Sequence, residues 1–172
     1  MKHGQWSTKM QPFLPRSDSK VVFVIVITCY TWTATSLMRI VVQGLVEAPS
    51  SAMPQTPGQW AFHFVEGLLL APVIESLIMV GIIETIRTFH RSKALQIIIA
   101  AATMGLLHSP SWAPRALIIA PAFAIWAGAY LYWKDISKKM LIGYTVIVLS
   151  HTLHSLLPAI ADLGRAVRHG WL

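Results

Sequence analysis

Charge is what this chain most lacks. Only 12% of its 172 residues are charged while 55% are hydrophobic, against about a quarter charged in ordinary soluble domains. That balance excludes a soluble globular protein and leaves a membrane protein. Cysteine is nearly missing: Cys29 stands alone inside an apolar run, which excludes an intramolecular disulfide and a zinc-thiolate centre and makes it a buried small hydrophobe by expectation. Carboxylates are few, and the three aspartates, Asp18, Asp135 and Asp162, fall in expected loops or tails, which excludes an intramembrane aspartate pair. A His-Glu-x-x-His sequence is absent, so a zincin-type centre is excluded as well. There is no internal repeat, and no low-complexity tract beyond the first twenty residues. One transmembrane domain over 21–172 is therefore expected to follow a basic segment, 1–20.

The net charge of +7 fits cytoplasmic loops of a multi-pass protein against anionic headgroups, and no nucleic-acid partner is expected. Lys2, Lys9, Arg16 and Lys20 precede an apolar run from Val21 to about Val46. The run is longer than a signal-peptide core and lacks a cleavage pattern, so it reads as a retained signal anchor. Five segments, 21–45, 60–87, 93–108, 113–133 and 139–160, approach the roughly 20 helical residues needed to span the hydrocarbon core. The fold class is thus an all-α, polytopic membrane helix bundle of about five transmembrane helices. The third is short, so it either begins in the basic linker before it or stops inside the membrane against protein. Pro72, Pro114 and Pro121 predict kinks or late helix starts, and 47–59 is a loop by its prolines, serines and glycine.

Lys and Arg alternate between connections. The amino terminus and the connections around 87–93 and 134–139 hold ten, and the intervening connections with the carboxyl tail hold three. The positive-inside rule then puts the amino terminus in the cytoplasm and the carboxyl terminus outside. Trp60, Trp112 and Tyr132-Trp133 suit interfacial belts. Arg39 is expected to snorkel, His63 and Glu66 to be solvated near the outer interface, and Glu84 to pair weakly with Arg87.

A carboxylate at bilayer depth costs several kcal/mol unless it faces protein, finds partners or takes a proton, so Glu75 in Ala71–Gly81 is a functional-site candidate. It lies twelve residues from Arg87, hence roughly 18 Å above the cytoplasmic edge. His108 lies fifteen from Lys93 and His151 twelve from Lys139, hence roughly 22 Å and 18 Å, with His154 and Ser155 slightly further along. Three helices therefore bring ionisable groups to nearly one level. A lone intramembrane His is commonly packing glue between helices, but Ser or Thr would serve that purpose more cheaply than a Glu with several His.

The patterns Ala71-Pro72-x-x-Glu75-x-x-x-Met79-x-Gly81, Met104-x-x-x-His108 and His151-x-x-x-Ser155 resemble the three motifs of the CPBP glutamate-type intramembrane proteases. That group includes the CAAX prenyl endopeptidases and bacteriocin-immunity proteins. Phe123–Trp133 is similar to the small-and-aromatic helix between motifs two and three, so the resemblance spans about 60–160. Ser76 stands where the family has a second Glu, Val80 where it has an Arg, Met104 for Phe, and Ser155 for Asn or Asp. A Glu and an Arg at i and i+4 can pair on one helix face, so losing both leaves no orphan charge.

The resemblance implies that Glu75 and His108 hold and deprotonate a water, while His151 and Ser155 stabilise the oxyanion; His154 is a further candidate for that task. The implied activity is endopeptidase cleavage of a membrane-anchored or membrane-adjacent protein or peptide, in a bacterial cytoplasmic membrane. No cofactor is expected. Three alternatives stay open: a Zn-type metal held by Glu75, His108 and His151 with His154, a serine nucleophile among Ser76, Ser109, Ser150 and Ser155, and a non-catalytic immunity or scaffold protein using the same cavity.

Overall fold

The computed structural model describes residues 19–47, 56–110, 112–168 and 170. The basic segment before residue 19 and most of the 47–59 loop lie outside these residues. All regular structure among the described residues is helical. The helices are α1 (Lys20–Leu45), α2 (Pro57–Val65), α3 (Ala71–Phe89), α4 (Lys93–Leu107), α5 (Arg115–Ser137) and α6 (Met140–Arg168), with a π-helical turn, Glu66–Leu70, joining α2 to α3. Four stretches are long and apolar enough to cross a membrane: α1, the continuous Pro57–Phe89, α5 and α6. Helix α4 has only 15 residues, or about 22 Å of rise.

Local chemistry sets the starts and breaks. Ser19 caps α1 by accepting from Val22 N, Ser92 caps α4 by accepting from Leu95 N, and Thr56 and Gln59 cap α2 reciprocally with Pro57 in its first turn. Pro72 has no N–H for the α ladder, and the turn before it is wound wider, with Ala71 N–H reaching Glu66 O. Pro114 caps α5. Pro158 sits inside α6, where it cannot donate to His154 O; Trp32 Nε1 of α1 does so instead at 3.0 Å. Lys138, in the left-handed region at φ 59°, turns the chain tightly from α5 into α6.

Helix α5 is the centre of the bundle. Phe123, Trp126, Ala127, Tyr130 and Trp133 on it are buried, against Phe23 and Ile27 of α1, Met79 and Ile83 of α3, Met104 of α4 and Ile147 of α6. Small residues permit the closest approaches. A Cβ on Gly143 would lie 2.9 Å from Tyr130 O, and one on Gly105 would lie 2.9 Å from Ala116 O. Large apolar side chains on the outer surface, such as Ile40, Leu69, Leu77, Leu117 and Leu141, are exposed, as lipid contact requires.

Several expectations are corrected. Helices α5 and α6 run past the expected ends at 133 and 160, because the polar residues beyond those points find partners: Lys134 bonds to Glu84, Asp135 to Lys93, and Arg165 to Asp162. Asp135 and Asp162 are thus helical, and Glu84 is held by Lys134 and by the Tyr130 hydroxyl at 2.7 Å. His63 and Glu66 are exposed as expected, with His63 3.8 Å from Asp162. Cys29 is exposed. Trp60 and Trp133 are buried in the protein, and Tyr132 stacks on Phe23, so these rings pack within the bundle.

Candidate active site

Glu75 sits in the second turn of α3, just beyond the π turn and Pro72. Across from it, α4 ends. The His108 backbone N–H turns back to Gly105 O at 3.1 Å, which leaves Met104 O without its usual partner four residues on. The His108 side chain supplies one: Nδ1 lies 2.7 Å from Met104 O. The opposite edge of the ring then faces Glu75, with Nε2 3.1 Å from Oε1. From α6, His151 Nε2 lies 3.5 Å from the other oxygen, Oε2. One carboxylate is thereby held between two imidazoles, and each of the three groups comes from a different helix.

A carbonyl can only accept, so His108 Nδ1 carries the hydrogen in that contact. A second proton, or another cation, must lie between His108 Nε2 and Glu75, since a bare ring nitrogen and a carboxylate oxygen repel at this distance. Among the described residues no group of three His, Cys, Asp or Glu side chains is arranged to hold a metal ion. A proton shared between His108 Nε2 and Glu75 Oε1 fits the 3.1 Å contact and makes the two side chains one hydrogen-bonded pair.

Aromatic rings of α5 hold the imidazoles. Trp126 stacks on His151 with centroids 4.1 Å apart, and Phe123 packs beside both His108 and His151 at 5.4 and 5.8 Å. Trp126 is itself fixed, since its Nε1 donates to Ser150 Oγ at 3.2 Å and Ser150 Oγ lies 3.1 Å from Thr28 Oγ1. Among the described residues His151 Nδ1 is buried without a partner, and stacking on Trp126 orients this ring. The side chains of Glu75, His108 and His151 are 23%, 19% and 8% exposed, which puts the carboxylate at a protected but reachable position.

The chain matches no protein-family model, characterised protein or solved structure.

Of the five residues singled out in the sequence, Glu75, His108 and His151 come together. His154 and Ser155 do not join them. The His154 ring bonds to Thr31 through Nδ1 at 3.1 Å and meets Trp126 edge-on, and Ser155 lines a cavity between α2 and α6. Ser76 and Val80, at the positions of the absent Glu–Arg pair, are both buried, so an apolar-compatible packing fills that face without an orphan charge. Sequence reasoning missed Thr28, Thr31 and Trp32, whose hydroxyl and indole groups tie α1 to Ser150 and His154 of α6. Two threonines three apart in an apolar helix were the available signal, because hydroxyls at membrane depth seek partners on other helices.

Proposed function

We propose that this protein is a glutamate-type intramembrane endopeptidase. The observation that carries the reading is the Glu75 carboxylate held between His108 Nε2 and His151 Nε2 by three separate helices, each of which pays the cost of an ionisable group at membrane depth. In this reading Glu75, kept away from bulk water, takes a proton from the attacking water, and His108, whose Nε2–H already bonds to the same carboxylate, holds that carboxylate in position. His151, with Nε2–H directed toward the same point, donates to the oxyanion as it develops; such donors are worth roughly 2.7–4 kcal/mol each. Proton return from the Glu75–His108 unit to the leaving amine completes the cycle. The substrate class is a membrane-anchored or membrane-adjacent protein or peptide, and the charge pattern favours approach from the outer side of a bacterial cytoplasmic membrane.

The second reading, a non-catalytic binder, is favoured by Ser155, which lines the α2–α6 cavity and leaves the oxyanion site with His151 alone. Comparing the amino termini of membrane proteins in cells carrying the wild type or Glu75→Gln separates the two. New termini within or beside apolar segments that need Glu75 support the protease. An identical set of termini at equal protein abundance overturns it.

A further inference from the structure

Beside the site, between α2, the π turn and α6, lies a cavity of about 450 Å³, within the ~300–1,000 Å³ usual for ligand pockets. Its apolar walls include Trp60, Phe64, Pro158 and Leu163. Ser155 and His154 also line it, and both belong to the turn of α6 that follows His151, about 4.5–6 Å along the helix. A chain lying in this cavity runs beside α6 one turn from His151, whose ring faces Glu75.

Two features argue for what fills it. One is the hydrogen-bonding capacity of a mainly apolar wall, which His63 and Asp162, 3.8 Å apart, also line. The Ser155 side chain makes no hydrogen bond to the described residues, and His154 uses only Nδ1, toward Thr31. A hydrocarbon chain would leave these atoms without partners, whereas an extended peptide brings alternating N–H and C=O groups to them. The other is room made by small residues. Gly67 lines the cavity from the π turn and Ala159 from α6, and a Cβ built on Gly67 meets nothing within 4 Å. The space in front of Gly67 is open, so its missing side chain serves no close helix contact.

We propose that this cavity is the recognition subsite for a bulky apolar side chain, of Leu or Phe size, on an extended peptide segment whose adjacent bond reaches Glu75, with Gly67 keeping the subsite open. This rests on the protease reading and adds the substrate feature that it selects.

The test uses the full chain in detergent micelles and a set of apolar 20-residue peptides that differ at one position, which carries Ala, Phe or photoreactive benzoylphenylalanine. In the wild type and in Glu75→Gln, the photoreactive peptide is expected to crosslink to the segments holding Phe64 and Leu163, and the Phe peptide to compete better than the Ala peptide. Gly67→Phe fills the space, so crosslinking there falls about tenfold and cleavage preference shifts about tenfold from the Phe toward the Ala peptide, within the range that pocket size gives. Ala159→Leu, on the facing wall, gives the same shift if Gly67→Phe does not accumulate. Crosslinks elsewhere, unchanged preference in both variants, or competition by a dioleoyl phospholipid but not by the Phe peptide overturn the subsite, the last assigning the cavity to lipid. Crosslinking to Glu75→Gln needs no turnover, so the subsite is judged separately. Full cleavage by that variant defeats the protease reading alone.

Discussion

Replacing Glu75 by Gln changes two atoms' chemistry and almost no shape, which makes it the sharpest perturbation of the site. The carboxylate accepts from His108 at 3.1 Å through one oxygen, and its other oxygen lies 3.5 Å from His151 Nε2. An amide can accept at one of these positions only, and it cannot take a proton from water. Loss of the general base lowers turnover by roughly 10²–10⁴, or about 3–5 kcal/mol of barrier at 1.36 kcal/mol per factor of ten. His108→Ala removes the partner that shares the proton and is expected to cost a similar factor. Because the two form one unit, the double variant should be no more than a few-fold slower than Glu75→Gln alone. Independent roles would multiply, to roughly 10⁴–10⁸. The folded protein should lose little, about 1–2 kcal/mol, since the contacts at stake are hydrogen bonds at a partly exposed position. Turnover of a substrate found by terminal proteomics, with thermal unfolding in detergent as the folding control, gives both numbers. A single Glu75→Gln effect below tenfold, or a double variant as slow as the product of the singles, would refute the shared-proton unit.

Gly143→Val should destabilise the α5–α6 pair by about 1–3 kcal/mol or more, because its Cβ would lie 2.9 Å from both Tyr130 O and the Tyr130 ring; thermal unfolding in detergent reads this directly. Ser76→Glu alone places a carboxylate on a buried face and should cost about 3–5 kcal/mol, while Ser76→Glu with Val80→Arg, four residues on, should recover much of that loss. An additive double variant would show that the two positions do not face each other as a pair. Turnover should survive a chelator, and loss that only zinc restores would move the chemistry to a metal held by Glu75 and the two histidines. Cys29 is exposed, so Cys29→Ser should fold normally and give a cysteine-free background; single cysteines in 47–59 should then be labelled from outside intact cells, and labelling only after permeabilisation would reverse the orientation.

The five apolar runs and their order were legible because a continuous run of hydrophobic residues has few other uses in a chain this poor in charge. The helix ends were harder. Ending a span at its first basic residue assumes that charge means water, yet Lys134 and Lys93 both bond to acidic side chains on neighbouring helices, and α5 continues through that level. Cys29, Trp60 and Trp133 were misplaced for a related reason. In lipid the core face and the outer face of a helix are equally apolar, so composition tells which residues avoid water but not which ones touch protein. The level of Glu75, His108 and His151 could be found from sequence because ionisable groups are costly there and helical rise is uniform. What could not be found was rotation about each helix axis: His151 turns toward Glu75, while His154 turns toward α1 and Ser155 lines the cavity against α2.

The breaks in the helices explain why the site is where it is. Irregular backbone at membrane depth survives only where protein or a cavity satisfies the freed groups, and the three helices that carry Glu75, His108 and His151 each have such a break. The π turn before Pro72 lets Ala71 reach Glu66 O and carries Gly67 to the cavity wall. The early end of α4 frees Met104 O, and His108 takes it with the ring edge that does not face Glu75. Pro158 frees His154 O, and Trp32 of α1 takes it. Each break costs a backbone hydrogen bond of the ladder; the π turn answers it with the Ala71 N–H, and the other two are answered by the side chains of His108 and Trp32. A bundle selected only for packing would gain from continuous helices at this level. Interruptions on three helices that converge on one carboxylate, each repaired locally, are what a bundle needs if it must admit an extended chain from the membrane to a fixed base.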